Sequence, residues 1–377
     1  MTFITGSLRT FNQLLSAGIA ITAFSLVLYA LSFNLRERVV RSFVLIMGCV
    51  LIVAVGEAFA SIQTTETMLE NWLRLQWVGL FYLPASYLYF SDALLATTGR
   101  PSRGRRRLLV RLSFVASTLM VLTLPFSIFV GPLVLDGIPE PHLQRTSLSW
   151  VFTLYYAGWM ILSWVNFTRA FQRTVTSTSR RRMRYLLTGA LGPALGSFPY
   201  LFFGSNFAAD HQLIFWLAGT ASNLFVSALI VLMAYAIAFF GVPWPDRVIK
   251  RRLFKWVMRG PVTGSSVLAV GTLVGRWTST TAPNFIILGP ISMIATLILM
   301  QYLITLAAPM WERWFFYGGD RQNIQLIQEL EERMLTTSDL SQFLESVLTA
   351  VCDRFQVDSA FVVALEPRGE EFVVTVG

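Results

Sequence analysis

The stretch NWLRLQWVGLFYLPASYLYFSDALL, residues 71–95, decides the fold class of this chain. Charged side chains occur in it at Arg74, near its start, and at Asp92, near its end. The hydrocarbon core of a bilayer is about 30 Å thick, and about 20 mostly apolar residues in a helix cross it. The stretch is long and apolar enough to predict a transmembrane helix, and similar segments recur along the chain.

The composition excludes an ordinary water-soluble domain. Of 377 residues, 54% are hydrophobic and 14% are charged, and the mean hydropathy is +0.58, which is typical of a polytopic membrane protein. The net charge of +9 does not indicate nucleic-acid binding, because the basic residues lie between apolar runs and not on one soluble face. The two cysteines, Cys49 and Cys352, are too few and too far apart for a disulfide framework or a thiolate metal site.

Hydropathy predicts an all-α polytopic membrane helix bundle of about nine transmembrane helices, arranged as seven plus two. The seven-helix region covers residues 1–241, a basic segment covers 242–260, and two further spans lie within 261–310. The predicted spans are residues 10–33, 42–62, 71–98, 108–130, 150–172, 185–205, 213–241, 261–279 and 283–307.

Basic residues alternate between loops, and this pattern predicts the topology. Most of the 30 Lys and Arg residues follow the first, third, fifth and seventh predicted spans, whereas the intervening loops are nearly free of them. The positive-inside rule then places the N-terminus outside and the C-terminal segment in the cytoplasm.

The segment GVPWPDRVIKRRLFKWVMRG, residues 241–260, has the pattern of a helix on a membrane surface. Pro243 and Pro245 end the preceding helix, and apolar residues then recur at helical spacing. Its basic residues predict contact with an anionic inner leaflet; a positive-inside loop that happens to be helical is an equally weighted alternative. The basic residues that would contact lipid are Lys250, Arg251, Arg252 and Lys255.

Residues 311–338 form a charged linker after the last predicted span. Ile327, Leu330 and Met334 follow an a/d spacing, which predicts a short two-helix coil across a homodimer axis. Packing on the same chain is the alternative. Residues 339–377 then predict a helix that begins near Asp339 and a strand pair in VDSAFVVALEPRGEEFVVTVG, residues 357–377.

Four segments carry a resemblance to known families. NWLRLQWVGLFYLPASYLYFSDALL and AYAIAFFGVPWPDRVIKRRLF, residues 234–254, resemble the seven-transmembrane N-terminal region of bacterial histidine kinases. WFFYGGDRQNIQLIQELEERMLTTSDL, residues 314–340, is similar to the connector that follows such regions, and residues 339–377 resemble the opening of an α+β GAF domain.

The resemblance implies a sensor in the bacterial cytoplasmic membrane that relays a cue to a cytoplasmic GAF domain and an output module. The transmitter part of the family, with its phospho-accepting histidine and ATP-binding domain, is not in the sequence, and the GAF-like segment is expected to be truncated. His142 and His211 fall on the predicted outside, so neither is expected to accept a phosphate.

Charged residues within spans are the first candidates for a functional site, because burying a charge in a membrane is costly without a partner. Glu57, in the second span, and Arg74, in the third, are predicted to lie at similar depth. We expect them to form an ion pair, either as part of a ligand site or as a structural clamp. Asp92 is expected to meet the basic loop that follows it.

Aromatic residues in the predicted outer half are the second candidates. They could line a cavity for an apolar or aromatic signal, whereas core packing and interfacial belts are the alternative explanations. The candidate ligand or coupling residues here are the aromatic residues Tyr156, Trp159, Tyr200 and Trp216, together with the polar residue Asn223.

Three functions are compatible with these patterns. A membrane sensor of unknown small-molecule signals is favoured, and a transporter or channel with a regulatory domain is the alternative. An integral membrane enzyme is disfavoured, because the sequence has no P-loop, no GxGxxG or HExxH motif and no Cys or His cluster. We therefore expect no catalytic activity, cofactor or metal in this chain.

Overall fold

The computed structural model describes residues 2–32, 35–99, 104–135, 140–174, 177–196, 210–241, 246–281, 287–311, 344–346, 348–350, 352, 361–365 and 372–376. Tyr200, the linker residues Ile327, Leu330 and Met334, and the predicted helix start at Asp339 lie outside the described residues. The chain divides into two compact units, Met1–Leu306 and Ala307–Gly377.

Long helices make up most of the first unit. In chain order they are α1 (Thr2–Leu31), α2 (Arg38–Ala60), α3 (Glu66–Thr97), α4 (Arg105–Leu122), α5 (Ser149–Gln172), α6 (Ser177–Gly196), α7 (Gln212–Gly241), α8 (Asp246–Val257), α9 (Thr263–Thr281) and α10 (Leu288–Trp311).

Among the described residues, six helical segments are long and apolar enough to cross a membrane, judged by length and composition. The helices α3, α5 and α6 lie where spans were predicted but are not among the six; in α3, tyrosine, serine and proline residues lower the hydropathy. The chain is therefore a multi-span membrane protein, and the count of nine stays a prediction. The six segments are Thr5–Leu31, Arg38–Ala60, Arg105–Phe126, Gln212–Ala238, Arg251–Thr278 and Leu288–Met310.

The helices α2 and α3 pack closely along their length because two glycines leave room for the neighbouring backbone. A Cβ atom at Gly79 of α3 would lie 2.7 Å from the carbonyl oxygen of Cys49. A Cβ atom at Gly56 of α2 would lie 2.5 Å from Cγ of Gln76. Both distances are shorter than van der Waals contact, so these positions require glycine at this helix spacing.

Aromatic side chains from α2, α3 and α5 form the centre of the hydrophobic core. Phe81 of α3 meets Phe152 of α5 edge to face, with ring centroids 4.9 Å apart. Such pairs add packing energy beyond the area they bury. The largest fully buried side chains include Tyr87, Phe43, Phe81, Phe90, Phe152 and Phe167.

A buried carboxylate ties α3 to the starts of α2 and α4. Asp92 is 1% exposed, and its Oδ1 lies 2.8 Å from Nη2 of Arg106. Its Oδ2 lies 3.4 Å from Nη2 of Arg38. The expectation that Asp92 meets the basic loop after the third span is confirmed, because Arg106 lies in the first turn of α4.

The helix α8 continues through a π-helical turn, Met258–Val262, into α9. Pro261 lies in this turn, and a proline that cannot donate a backbone hydrogen bond favours such an irregularity. Ile249 and Leu253 of α8 are buried in the core, and the indole N–H of Trp256 donates to Ser25 Oγ at 2.7 Å.

The amphipathic pattern predicted for this segment is thus present, and its apolar face packs on helices of the same chain. Arg251, Arg252 and Lys255 are exposed, whereas only the backbone of Lys250 is described. Contact of these residues with an anionic leaflet stays a prediction.

Two strand pairs complete the described structure. In the first unit, β1 (Val130–Val134) pairs antiparallel with β2 (His142–Arg145). The predicted fourth span, residues 108–130, ends too late: α4 begins at Arg105 and ends at Leu122, and a 3₁₀ turn at Leu124–Phe126 that contains Pro125 leads into β1. In the second unit, β3 (Val362–Leu365) pairs antiparallel with β4 (Phe372–Val376), which confirms the predicted strand pair. Its assignment to a GAF domain stays a prediction.

Candidate functional site

A cavity of about 130 Å³ lies where α1 and α3 begin, α2 ends and the β1–β2 hairpin folds over the helices. We call this the hairpin end of the bundle. Leu69, Leu73 and Trp77 of α3 form an apolar part of the wall. The charged and polar lining consists of Arg9, Glu57, Ser61, Gln63, Gln76, Glu140, His142, Gln144, Arg145 and Ser149.

One wall of the cavity is built by a contact between α2 and α3. The side-chain amide of Gln76 donates to Oε2 of Glu57 at 3.2 Å. Gln76 is 3% exposed and is held against α2 at the position where Gly56 provides space. The glycine and the glutamine thus position the Glu57 carboxylate at the cavity.

Arg74 takes a different direction from the one predicted. Its Nη2 lies 2.6 Å from Oε1 of Glu70 and donates to Ser127 Oγ at 2.9 Å, and its Nη1 donates to the carbonyl oxygen of Leu124. Arg74 therefore fixes the end of α4 and the turn that leads into the hairpin.

The predicted ion pair between Glu57 and Arg74 is wrong, although the two residues lie on neighbouring helices. Residues two positions apart on an α-helix point about 200° apart. Gln76 faces α2 and contacts Glu57, so Arg74 points toward the end of α4 instead. The sequence placed the two residues at similar depth but could not fix which face of α3 meets α2.

The loop between the two strands is tied to α1. Nε of Arg9 donates to Oε1 of Glu140, and the amide of Gln13, one turn further along α1, donates to the same oxygen at 3.3 Å. The side chain of Glu140 is 13% exposed, whereas that of Arg9 is 47% exposed. We call these contacts the α1–hairpin latch.

Burial determines the electrostatics of the latch. Loss of solvent raises the pKa of Glu140, and the charge of Arg9 with the hydrogen bonds from Arg9 and Gln13 offsets part of this rise. Nδ1 of His142 lies 2.9 Å from the carbonyl oxygen of Glu140. The cavity thus holds a carboxyl group that is protonated more readily than one in water.

The base of the hairpin is fixed to the start of α5. Ser149 Oγ donates to the carbonyl oxygen of Phe129 at 2.6 Å, and Thr146 Oγ1 donates to the same carbonyl at 2.9 Å. The guanidinium of Arg145 lies 5.9 Å from the ring centroid of Trp150, within the range of a cation–π interaction. The hairpin is therefore held at both its base and its loop.

The arrangement is suited to recognition of a small polar molecule. Arg9 and Arg145 offer cationic N–H donors, while Glu57 and Glu140 offer carboxylate acceptors. Among the described residues, no group of three or more His, Cys, Asp or Glu side chains could hold a metal ion. The described part of the site offers charged hydrogen-bond donors and acceptors side by side.

The aromatic candidates do not line this cavity. Tyr156 is buried and its hydroxyl donates to the carbonyl oxygen of Ala194 at 3.3 Å, and Trp159 meets the ring of Tyr155 edge to face. Trp216 is buried against Phe215. These contacts place the described aromatic candidates in helix packing, apart from the cavity at the hairpin end.

Asn223 lies in a separate polar contact between α1 and α7. Its amide donates to Oδ1 of Asn12 at 2.8 Å, and Ser16 Oγ lies 3.5 Å away. Asn223 and Ser16 also line a cavity of about 30 Å³, a size suited to about one water molecule.

Sequence reasoning did not assign Arg9, Gln76 and Glu140 to a site. Glu140, His142 and Arg145 lie close together in the sequence between the fourth and fifth predicted spans, and that concentration of polar side chains was the available signal. Arg9 and Gln76 gave none, since their roles depend on which helix faces meet.

The comparisons with known proteins agree with this architecture. Residues 15–230 match the family described as the N-terminal 7TM region of histidine kinase. The chain belongs to this family. The matched residues of this 7TM region include Glu57, Gln76 and Glu140, whereas Arg9 precedes them. No curated protein matches the chain at a significant level.

Proposed function

We propose that this chain is the sensory input module of a signal-transduction protein of the histidine-kinase type, and that the cavity at the hairpin end binds its small polar signal. Membership of the 7TM family supports the sensory role. The single observation that supports the binding site is the enclosure of Arg9, Glu57, Glu140 and Arg145 in one cavity beneath the hairpin.

The proposed topology places this cavity outside the cell. Nine spans, arranged as seven plus two in a bacterial cytoplasmic membrane, put the N-terminus outside and the C-terminal unit in the cytoplasm. The alternation of basic loops supports this orientation. The hairpin end would then meet solutes, while the end that carries Arg38, Asp92 and Arg106 would lie at the cytoplasmic face.

The helix α1 is the proposed carrier of the signal across the membrane. Near its start, Arg9 and Gln13 bond to Glu140 of the hairpin loop. Near its other end, Ser25 accepts a hydrogen bond from Trp256 of α8. A solute that competes for the latch would change the position of α1, provided that it binds the two states with different affinity.

The output side of the proposal concerns residues beyond α10. The linker 311–338 passes the change to a GAF domain that begins in 339–377 and to an output module outside this chain. The linker pairs with a second copy through Ile327, Leu330 and Met334. In native membranes, Ile327→Cys and Leu330→Cys variants are expected to crosslink two chains; monomers alone would contradict the dimer.

The binding proposal is tested by ligand-dependent stability of the full chain in lipid nanodiscs. A panel of amino acids, dicarboxylates, polyamines and neutral sugars is screened for a saturable rise in the unfolding midpoint. We expect at least one class to stabilise the wild type and to lose its effect in Glu57→Gln and Ala60→Trp, the second of which fills the cavity.

Arg251→Gln, in the exposed face of α8, is the matched control and is expected to keep the ligand response. The binding site would be contradicted if no class of compound raised the unfolding midpoint of the wild type more than that of the cavity variants. Uptake of a stabilising solute into vesicles containing the chain would favour the transporter alternative, whereas a sensor is expected to give binding without uptake.

A further inference from the structure

A second recess lies between α1, α2 and α9 and is separate from the cavity beneath the hairpin. It has a volume of about 420 Å³. We call it the lateral groove. Its walls are formed by apolar side chains of three helices, Leu14, Ile21, Val55, Phe59, Leu268 and Leu273.

The polar groups of the lateral groove lie toward one end. Thr10 and Gln13 come from the first turns of α1, Ser61 follows the last residue of α2, and Arg276 lies in the last turns of α9. Nη1 of Arg276 donates to Thr10 Oγ1 at 2.8 Å. The groove is thus apolar along most of its length and cationic at the hairpin end.

The helices that form the groove are long and apolar enough to cross a membrane. Its three helices contribute membrane-capable segments, Thr5–Leu31, Arg38–Ala60 and Arg251–Thr278. Phe59 and Leu273 at its edges are 43% and 55% exposed. If these segments span the membrane, a groove with such edges would open sideways into the bilayer.

We propose that the lateral groove binds one phospholipid with an anionic head group, with an acyl chain along the apolar walls and the phosphate at Arg276. The guanidinium of Arg276 is exposed at the hairpin end of the groove, where it also donates to Thr10. Its planar fork of five N–H donors suits phosphate oxygens, and hydroxyl groups of Thr10 and Ser61 lie at the same end. A neutral head group would lack the charge complementarity.

The lipid would sit next to the solute cavity. Ser61 lines both recesses, and Gln13, which lines the groove, also donates to Glu140 of the latch at 3.3 Å. An anionic lipid in the groove would therefore lie beside Gln13, one of the two α1 residues that hold the hairpin loop. The lipid site itself stands independently of any solute bound in the cavity.

The test uses the full chain in nanodiscs and a phosphatidylglycerol analogue that carries a photoreactive diazirine in its acyl chain. Labelled peptides are identified by mass spectrometry. We expect saturable labelling of groove residues on α1, α2 and α9, competed by unlabelled phosphatidylglycerol about tenfold better than by phosphatidylcholine with the same acyl chains.

Two variants separate the head-group contact from the acyl-chain site. Arg276→Gln should reduce competition by phosphatidylglycerol about tenfold and remove the preference over phosphatidylcholine, and it should insert normally because it removes a charge from a span. Ala17→Phe should abolish groove labelling by filling the wall. Arg259→Gln, in the π-helical turn that precedes the same helix, is the matched control and should leave labelling unchanged.

Four outcomes would overturn the proposal. They are non-saturable labelling spread evenly over all lipid-facing helices, equal competition by the two lipids, unchanged labelling in both groove variants, and occupation of the groove by a second copy of the chain. Should Arg276→Gln lose the native unfolding transition, Arg276→Lys keeps the charge without the planar fork and should give an intermediate preference for phosphatidylglycerol.

Discussion

Arg9 and Glu140 lie 131 positions apart in the chain and bond to each other in the wall of the cavity. The contact joins the start of α1 to the loop of the hairpin. Because Glu140 is far more buried than Arg9, the arginine is the partner that can be removed without opening a cavity. The latch therefore offers a direct test of how firmly the hairpin is closed.

Removing the cation should loosen the hairpin. In Arg9→Gln the mostly buried carboxylate of Glu140 loses its charged partner, and local opening of the hairpin should become easier by about 1–3 kcal/mol. Hydrogen exchange of the β1 and β2 amides measures this change. Arg111→Gln, an exposed arginine of α4, should leave exchange unaltered, and equal exchange in the two variants would contradict the latch.

Closure of the hairpin should depend on pH through Glu140. Burial raises its pKa above the ordinary value of 4.5, so the closed state binds the proton more tightly than the open state. The stability from this group is full below the ordinary pKa and is lost as pH rises through the raised pKa. Exchange protection of the hairpin amides, corrected for intrinsic rates, should therefore fall as pH rises from the ordinary pKa of a glutamate through the raised pKa of Glu140.

Two variants assign the pH dependence to its source. Glu140→Gln should flatten the profile, since an amide does not titrate in this range. His142 also faces this loop, and its Nδ1 contacts the carbonyl oxygen of Glu140. His142→Gln should keep the fall in protection at the same pH. If the pH dependence of protection is lost in this variant, the effect belongs to the histidine.

The close approach of α2 and α3 should tolerate no added atom at Gly79. Alanine there would place its Cβ 2.7 Å from a backbone oxygen, so the helices must move apart at a cost of about 1–3 kcal/mol. At Gly48 of α2 no atom lies within 4 Å of a Cβ position. Gly48→Ala should therefore be neutral or stabilising by up to about 1 kcal/mol, as thermal unfolding in nanodiscs can show.

Local patterns in the sequence predicted the helices well, because each span is defined by its own residues. The contact of Asp92 with the following basic loop was also predictable, since the two are neighbours in sequence. The latch was not, because short strands such as His142–Arg145 carry a weak alternating signal, and their partner on α1 lies far away in the chain.

The amphipathic helix α8 shows a second limit. The spacing of Ile249 and Leu253 predicts one apolar face, but a membrane surface and the side of α1 would select the same residues. Likewise, the depth of Glu57 could be predicted, whereas the rotation of α3 that brings Gln76 to it depends on packing at Gly56 and Gly79. Helix rotation is set by contacts between elements, which a single sequence does not record.

The buried carboxylate Asp92 should be essential to the stability of the end opposite the hairpin. Asp92→Asn leaves the guanidinium groups of Arg38 and Arg106 without their shared anion, which should cost about 3 kcal/mol. Thermal unfolding of the variant in nanodiscs measures the loss. Glu37→Gln changes an exposed carboxylate at the same end and should have little effect; similar losses in both would indicate a general charge effect.

The hydrogen bond between Trp256 and Ser25 should fix α8 to α1. The indole N–H lies 2.7 Å from Ser25 Oγ and 3.1 Å from its carbonyl oxygen, and the ring packs against Tyr29 with centroids 5.5 Å apart. Trp256→Phe keeps an aromatic ring but loses the donor, so α8 should separate from α1 more easily by about 1 kcal/mol. Proteolysis within residues 246–257 reports this opening. Trp277→Phe, at a position that is 58% exposed, is the control; if both variants were cleaved at the wild-type rate, α1 would have no rigid connection to α8 through which to carry a signal.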